Sequence, residues 1–292
     1  MSFDDLDLTV EKFEMIKCVG LDNYLFLTND SNYELIQHYS ENFQNNFDEK
    51  RFRESYNSKK EYCNEKGIDY RFYIVPDKSV ICKEYLPITP KVLKRNFDSV
   101  SDLVNDYKDI LDPTDYYKSD SHINFKGALK YSAEIMHDIR SQVSSEKYLE
   151  TLKENLVHKK ISVDGDLYKF KNPDSSKREV IDFYEFPLME YSNQYRYFDD
   201  PFTMPEEFSK VGKRESFYIR NRFSLTDLNC LFLRDSTLIR FLNPLNVFFK
   251  SMFAYWDHWY FNTDLIEWYK PDVIIEIRTE RFLENMKYEK VE

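Results

Sequence analysis

Three polar residues in two distant stretches carry the groups that acyl transfer requires: Asp120 and His122, two positions apart, and Ser236 in Arg234-Asp235-Ser236-Thr237. A serine hydroxyl is a weak nucleophile until a base removes its proton. Imidazole fills that role when a carboxylate holds its tautomer and balances the charge it gains. Each half also has a plainer reading. Asp and Ser are favoured helix N-caps because their oxygens accept backbone N–H groups. Asp-x-His equally fits a surface turn, or part of a metal-dependent hydrolase with Asp115, Asp120 and His122 as ligands. Only five histidines compete for the base (His38, His122, His137, His158 and His258), and Asp257-His258 is the rival pair.

These residues need elements to hold them. Leu228 to Leu233 is a short apolar run ending at Arg234-Asp235-Ser236, which predicts a buried strand that delivers Ser236 to its carboxyl end, where ligands gather in open α/β sheets. Leu238, Phe241, Leu242 and Phe248 continue as a helix. Residues 116–124 read as a loop, and 125–144 as a helix on the spacing of Leu129, Ala133, Met136 and Ile139. Upstream, residues 24–27 read as a strand, 33–66 as helical and 68–75 as a strand stopped by Pro76. That strand–helix–strand order favours a parallel sheet. Residues 99–111 read as a further helix ended by Asp112-Pro113, and 273–277 as the last clear strand. Residues 145–225 are polar and rich in Tyr and Phe, with turns at Asp164-Gly165 and Asn172-Pro173; they read as a β-leaning insertion or lid within one 292-residue α/β domain.

Composition narrows the function classes. With 42% hydrophobic and 32% charged residues, the chain is neither disordered nor collagen-like. A net charge of -11 without an offsetting basic block argues against nucleic acid and anionic lipid as partners. Four scattered cysteines (Cys18, Cys63, Cys82 and Cys230) form neither a zinc motif nor a disulfide framework. No metal or cofactor is expected. No basic, apolar leader opens the sequence and no run of about 18 apolar residues follows, so the sequence as it stands reads as cytoplasmic, without direct membrane insertion. Aromatic residues make 17% of the chain, and such rings either stack on sugars or fill cores.

The two motifs resemble those of the SGNH-hydrolase-like family that includes the alginate O-acetyltransferase proteins. There a D-T-H-W-N-x-x-G-A type motif supplies Asp and His, and a later R-D-S-F type motif supplies Ser. Here the first reads Asp120-Ser121-His122-Ile123-Asn124-Phe125-Lys126-Gly127-Ala128 and the second Arg234-Asp235-Ser236-Thr237. Ile123 replaces the tryptophan and Thr237 the phenylalanine. Gly20-Leu21-Asp22-Asn23, Val75-Pro76-Asp77-Lys78, Gly165-Asp166-Leu167, Pro271-Asp272-Val273 and Glu280-Arg281-Phe282 fall in the family's order.

The resemblance implies a three-layer, flavodoxin-like α/β fold and serine-dependent acyl transfer between an acyl donor and a carbohydrate or polysaccharide acceptor, as an O-acetyltransferase or acetylesterase. It also implies an exported enzyme. Ser236, His122 and Asp120 are then the catalytic residues. Asn124 and Arg234 are candidate helpers to the Ser236 backbone N–H in an oxyanion hole, and Tyr117, Trp256 and Trp259 are candidate sugar-stacking residues. The alternative is a noncatalytic carbohydrate-binding or assembly protein on the same fold.

Overall fold

A computed structural model describes residues 16–29, 32–169, 178–187, 205–211, 216–256, 259–284, 286, 288 and 291. The elements run β1 (Ile16–Val19), β2 (Leu25–Asn29), α1 (Glu34–Tyr39), α2 (Glu49–Glu65), β3 (Asp69–Val75), α3 (Lys78–Ile81), α4 (Phe125–Ile139), α5 (Ser145–Asn155) and β4 (Val157–Val163). They continue with α6 (Asp166–Lys169), β5 (Glu179–Glu185), α7 (Glu206–Val211), β6 (Phe217–Arg220), β7 (Asn229–Arg234), α8 (Leu242–Phe248), β8 (Ser251–Tyr255), α9 (Thr263–Tyr269) and β9 (Val273–Thr279).

Among the described residues, five strands form the main sheet in the order β3-β9-β7-β8-β6. All neighbours are parallel except β6, which joins β8 antiparallel at the edge. Strands β9 and β7 are buried on both faces, which is why they read as continuous apolar runs. Alternate residues serve opposite layers. Cys230 and Phe232 face a core shared with α4 and α8, while Leu231 and Leu233 face one shared with α2 and α9. The result is the three-layer α/β architecture expected, with two small antiparallel pairs, β1–β2 and β4–β5, outside the sheet.

Several expected elements differ. The strand at 24–27 exists as β2, but it pairs antiparallel with β1 and contributes nothing to the parallel sheet. The helix expected over 33–66 is two helices. Ser40 Oγ accepts from the N–H groups of Asn42 and Phe43, at 3.2 and 3.1 Å, and Asn45 Oδ1 accepts from Phe47, so short polar side chains compete with the helix ladder. Asp48 restarts it by capping Arg51 N–H at 3.0 Å.

No α-helix occupies 99–111. Asn105 O accepts from Ile74 N–H at 2.9 Å, and Arg95 holds Asp106 at 2.6 Å, so contacts with β3 and Arg95 override local propensity. The helix from 125 stops at Ile139, and Ser144 caps a separate α5. Among the described residues of 145–225, helices α5, α6 and α7 accompany the β4–β5 pair and β6; the turn expected at Asn172-Pro173 lies outside the described residues. The strand β8 was not expected: Ser-Met-Phe-Ala-Tyr is a fully buried run with no alternation to mark it.

Candidate active site

The sequence places Ser236 at the end of β7, and the structure puts it on the first residue of a 3-10 turn, Ser236–Phe241. Asp235 makes that turn rigid. Its Oδ1 accepts from Thr237 N–H and its Oδ2 from Thr279 N–H, both at 2.8 Å, tying the ends of β7 and β9 together. The N-cap reading therefore holds for Asp235, which leaves the neighbouring Ser236 hydroxyl for other work.

Asp120 and His122 lie on an excursion between two anchored ends. Asn124 N–H donates to Asp115 O at 2.8 Å, and Tyr116 bridges Ile123. Three other parts of the fold hold the loop. The Lys78 ammonium, buried at the start of α3, donates to the carbonyls of Leu25, Lys118 and Asp120 at 2.6, 3.0 and 3.0 Å. Burial pushes that amine down to about 8. Glu179, the first residue of β5, accepts from the N–H groups of Lys118 and Ser119 at 2.9 Å and from the Ser119 hydroxyl at 2.7 Å. Gly165 lies against Ser119 so closely that a Cβ would meet its carbonyl oxygen at 2.0 Å.

These supports bring the three residues into a row. His122 Nε2 lies 2.9 Å from Ser236 Oγ, and Nδ1 lies 2.7 Å from Asp120 Oδ1. With a proton on Nδ1 donated to Asp120, Nε2 carries the lone pair that faces the serine hydroxyl. Burial works against charging this imidazole, but the hydrogen bonds and charges of Asp120 and Asp166 outweigh it and raise the pKa to about 9. Burial likewise raises Asp120, yet its bond and proximity to His122, with help from Arg240, hold the carboxyl well below the usual range. Arg240 Nη2 is 3.5 Å from Asp120 Oδ2.

Asp166, at the start of α6, was named in the sequence only as part of Gly165-Asp166-Leu167. Its Oδ2 lies 3.4 Å from His122 Nδ1 and accepts from Ser121 Oγ at 2.7 Å. Ligand atoms of Asp120, His122 and Asp166 lie within 4.8 Å of one another. The Nδ1 atom that would face a cation there is already directed at Asp120, and Asp166 Oδ2 accepts the Ser121 hydroxyl. Asp115, the third residue of the metal reading, points elsewhere: it is fully buried and paired with Lys130 at 2.5 Å.

The helper residues have other occupations. Asn124 caps α4: its Oδ1 accepts from Lys126 and Gly127 N–H, and its amide donates to Thr114 O at 2.8 Å. Arg234 is buried with its guanidinium between the rings of Phe217 and Trp256, at 4.7 and 4.8 Å, and it donates to Asp235 O. Tyr117 is buried under Arg240 at 5.2 Å, and Trp259 packs on Phe282 and under Arg278. Asp257 and His258 lie outside the described residues. Of the other histidines, His38 pairs with buried Asp77, His137 with Val143 O and His158 with Asp182.

No family model matches the chain, and no curated protein matches it by sequence. Solved structures do. Bacillus cereus PatB1 with a sulfonyl adduct superposes with a TM-score of 0.60 at 13% identity, over 95% of this chain and 100% of that one. The O-acetyltransferase domain of Pseudomonas putida AlgJ gives 0.50 at 13%, over 94% of each chain. Pseudomonas aeruginosa AlgX gives 0.52 at 13%, over 97% of this chain and 66% of that one. The likeness is one of fold: over most of its length this chain shares the α/β architecture of PatB1, AlgJ and AlgX.

Proposed function

We propose that the chain is a serine-dependent carbohydrate O-acetyltransferase or acetylesterase that works through an acyl-Ser236 intermediate. The observation that carries this reading is the row Ser236 Oγ, His122 and Asp120, with bonds of 2.9 and 2.7 Å from residues 114 positions apart. Neutral His122 takes the hydroxyl proton through Nε2 as Ser236 Oγ attacks the acyl carbonyl, and the Ser236 N–H receives the developing oxyanion. Collapse of the tetrahedral species breaks the bond to the leaving alcohol, which takes the proton back from His122. A sugar hydroxyl or water then repeats the sequence in reverse, giving the acetylated sugar or acetate. Asp120 holds the imidazole in the required tautomer throughout.

Support also comes from the neighbours: AlgJ's matching region is an O-acetyltransferase domain, and PatB1 carries a sulfonyl adduct. An acetylated carbohydrate chemistry follows for this chain as a proposal. The test is turnover of a chromogenic acetyl ester with and without chelator, in wild-type protein and in Ser236→Ala. Chelator-insensitive turnover that disappears in Ser236→Ala is expected. Chelator-sensitive turnover would favour a metal hydrolase, and none at all would favour a binding protein.

A further inference from the structure

We propose that Asp166 is a positioning residue that shares the His122 Nδ1 proton with Asp120 and thereby sets the pH range in which His122 can act on Ser236. This rests on the serine-dependent reading above and deepens it. Nδ1 faces two carboxylate oxygens, Asp120 Oδ1 in a hydrogen bond at 2.7 Å and Asp166 Oδ2 at an ion-pair distance of 3.4 Å, with Ser121 Oγ also 3.3 Å away. The two residues are also tied together, because the Asp166 backbone N–H donates to Asp120 Oδ2 at 3.1 Å. Asp166 is fixed from the other side by Ser121, whose N–H and hydroxyl donate to Oδ1 and Oδ2 at 2.8 and 2.7 Å. These two bonds hold the Asp166 carboxylate beside the ring although part of the side chain stays exposed.

The remaining charged groups near the imidazole act at one remove. Arg240, from the turn after β7, approaches Asp120 Oδ2; Lys78, from α3, binds the Asp120 carbonyl; Glu179, from β5, binds Ser119. Asp166 is therefore the one described acid besides Asp120 that meets the ring itself. A second negative charge there favours the protonated imidazole, consistent with the raised titration of His122. Protonated His122 cannot accept the Ser236 proton, so Asp166 delays activity toward alkaline pH while it steadies the ring.

The test is Asp166→Asn, which keeps an acceptor for Ser121 and removes the charge. The His122 ring is titrated directly by NMR, and the rate of Ser236 modification by a sulfonyl fluoride is followed against pH. The expected result is a His122 titration moved toward acid by about one pH unit, with the acid limb of the rate profile moving by the same amount. A merely structural role would lower the plateau and leave both midpoints in place, which overturns the proposal. Asp120→Asn provides a second arm. With Asp166 still present, His122 should titrate above its ordinary value, and a return to about 6.5 contradicts the sharing. Because NMR reads the imidazole whether or not Ser236 reacts, a moved titration in an unreactive protein would sink the acyl-transfer reading and leave only Asp166's effect on His122 standing.

Discussion

At the residue scale, chemistry here depends on which groups compete for one imidazole. His122 must be neutral to serve as a base, and its pKa of about 9 lies above the ordinary 6.5. The sign follows: the reactive fraction grows as pH rises, and little of it exists at neutral pH in the unliganded protein. Sulfonylation of wild-type Ser236 should therefore climb by roughly tenfold per pH unit from pH 6 toward 9 and then level off. A profile already flat at pH 7 would contradict the two-carboxylate environment. His122→Ala should lose on the order of 10⁴-fold in rate or more, because the serine then has no base. An intact rate there would return attention to Asp257-His258.

At the element scale, the site depends on parts that do no chemistry. Asn124 closes α4's open N–H groups, and Asn124→Ala should lower stability by about 1 kcal/mol, read as a shifted urea midpoint with an unchanged slope. Gly165→Ala should act differently. Its added methyl collides with the backbone of Ser119, the residue immediately before His122's partner Asp120, so ester turnover should fall further than stability does. Equal losses would mean that Gly165 matters only for folding.

The sequence exposed some of these devices and hid others. Strand β7, its Asp-Ser ending and helix α4 were legible because an apolar run and a helical period mark them directly. The break in the long helix at Ser40 was not, since it comes from side chains bonding their own backbone. Asp166 was visible only as a fragment in order. Its role needs a fold that returns residue 166 to residue 122, and no local pattern encodes that return. Asn124 shows the converse, because a polar residue in a catalytic motif turned out to be held by a cap.

At the scale of the whole molecule, the ends of β3 and β9 meet a buried network that the site does not use. His38 bonds Asp77 at 3.1 Å, Arg281 bonds Asp77 at 2.6 Å and Glu34 at 3.3 Å, and Arg95 bonds Glu280 at 2.6 Å. Burial would lower His38, but Asp77 and Glu280 raise it to about 9. A raised pKa means that its contribution to stability is full below about pH 6.5 and is lost as pH rises through about 9. The stability gap between wild type and His38→Gln, measured by urea melts, should therefore narrow from pH 6 to pH 9. A constant gap would show that His38 stays in one protonation state.

The same fold brings Ser236, just past the carboxyl end of the central strand β7, against Asp120 and His122 on the loop before α4. That convergence is tested most directly by intact-protein mass spectrometry after exposure to an acetyl donor or a sulfonyl fluoride, with the modified peptide mapped. A single adduct on Ser236, absent in His122→Ala, is the result expected. An unmodified Ser236, or an adduct formed equally well without His122, would contradict it.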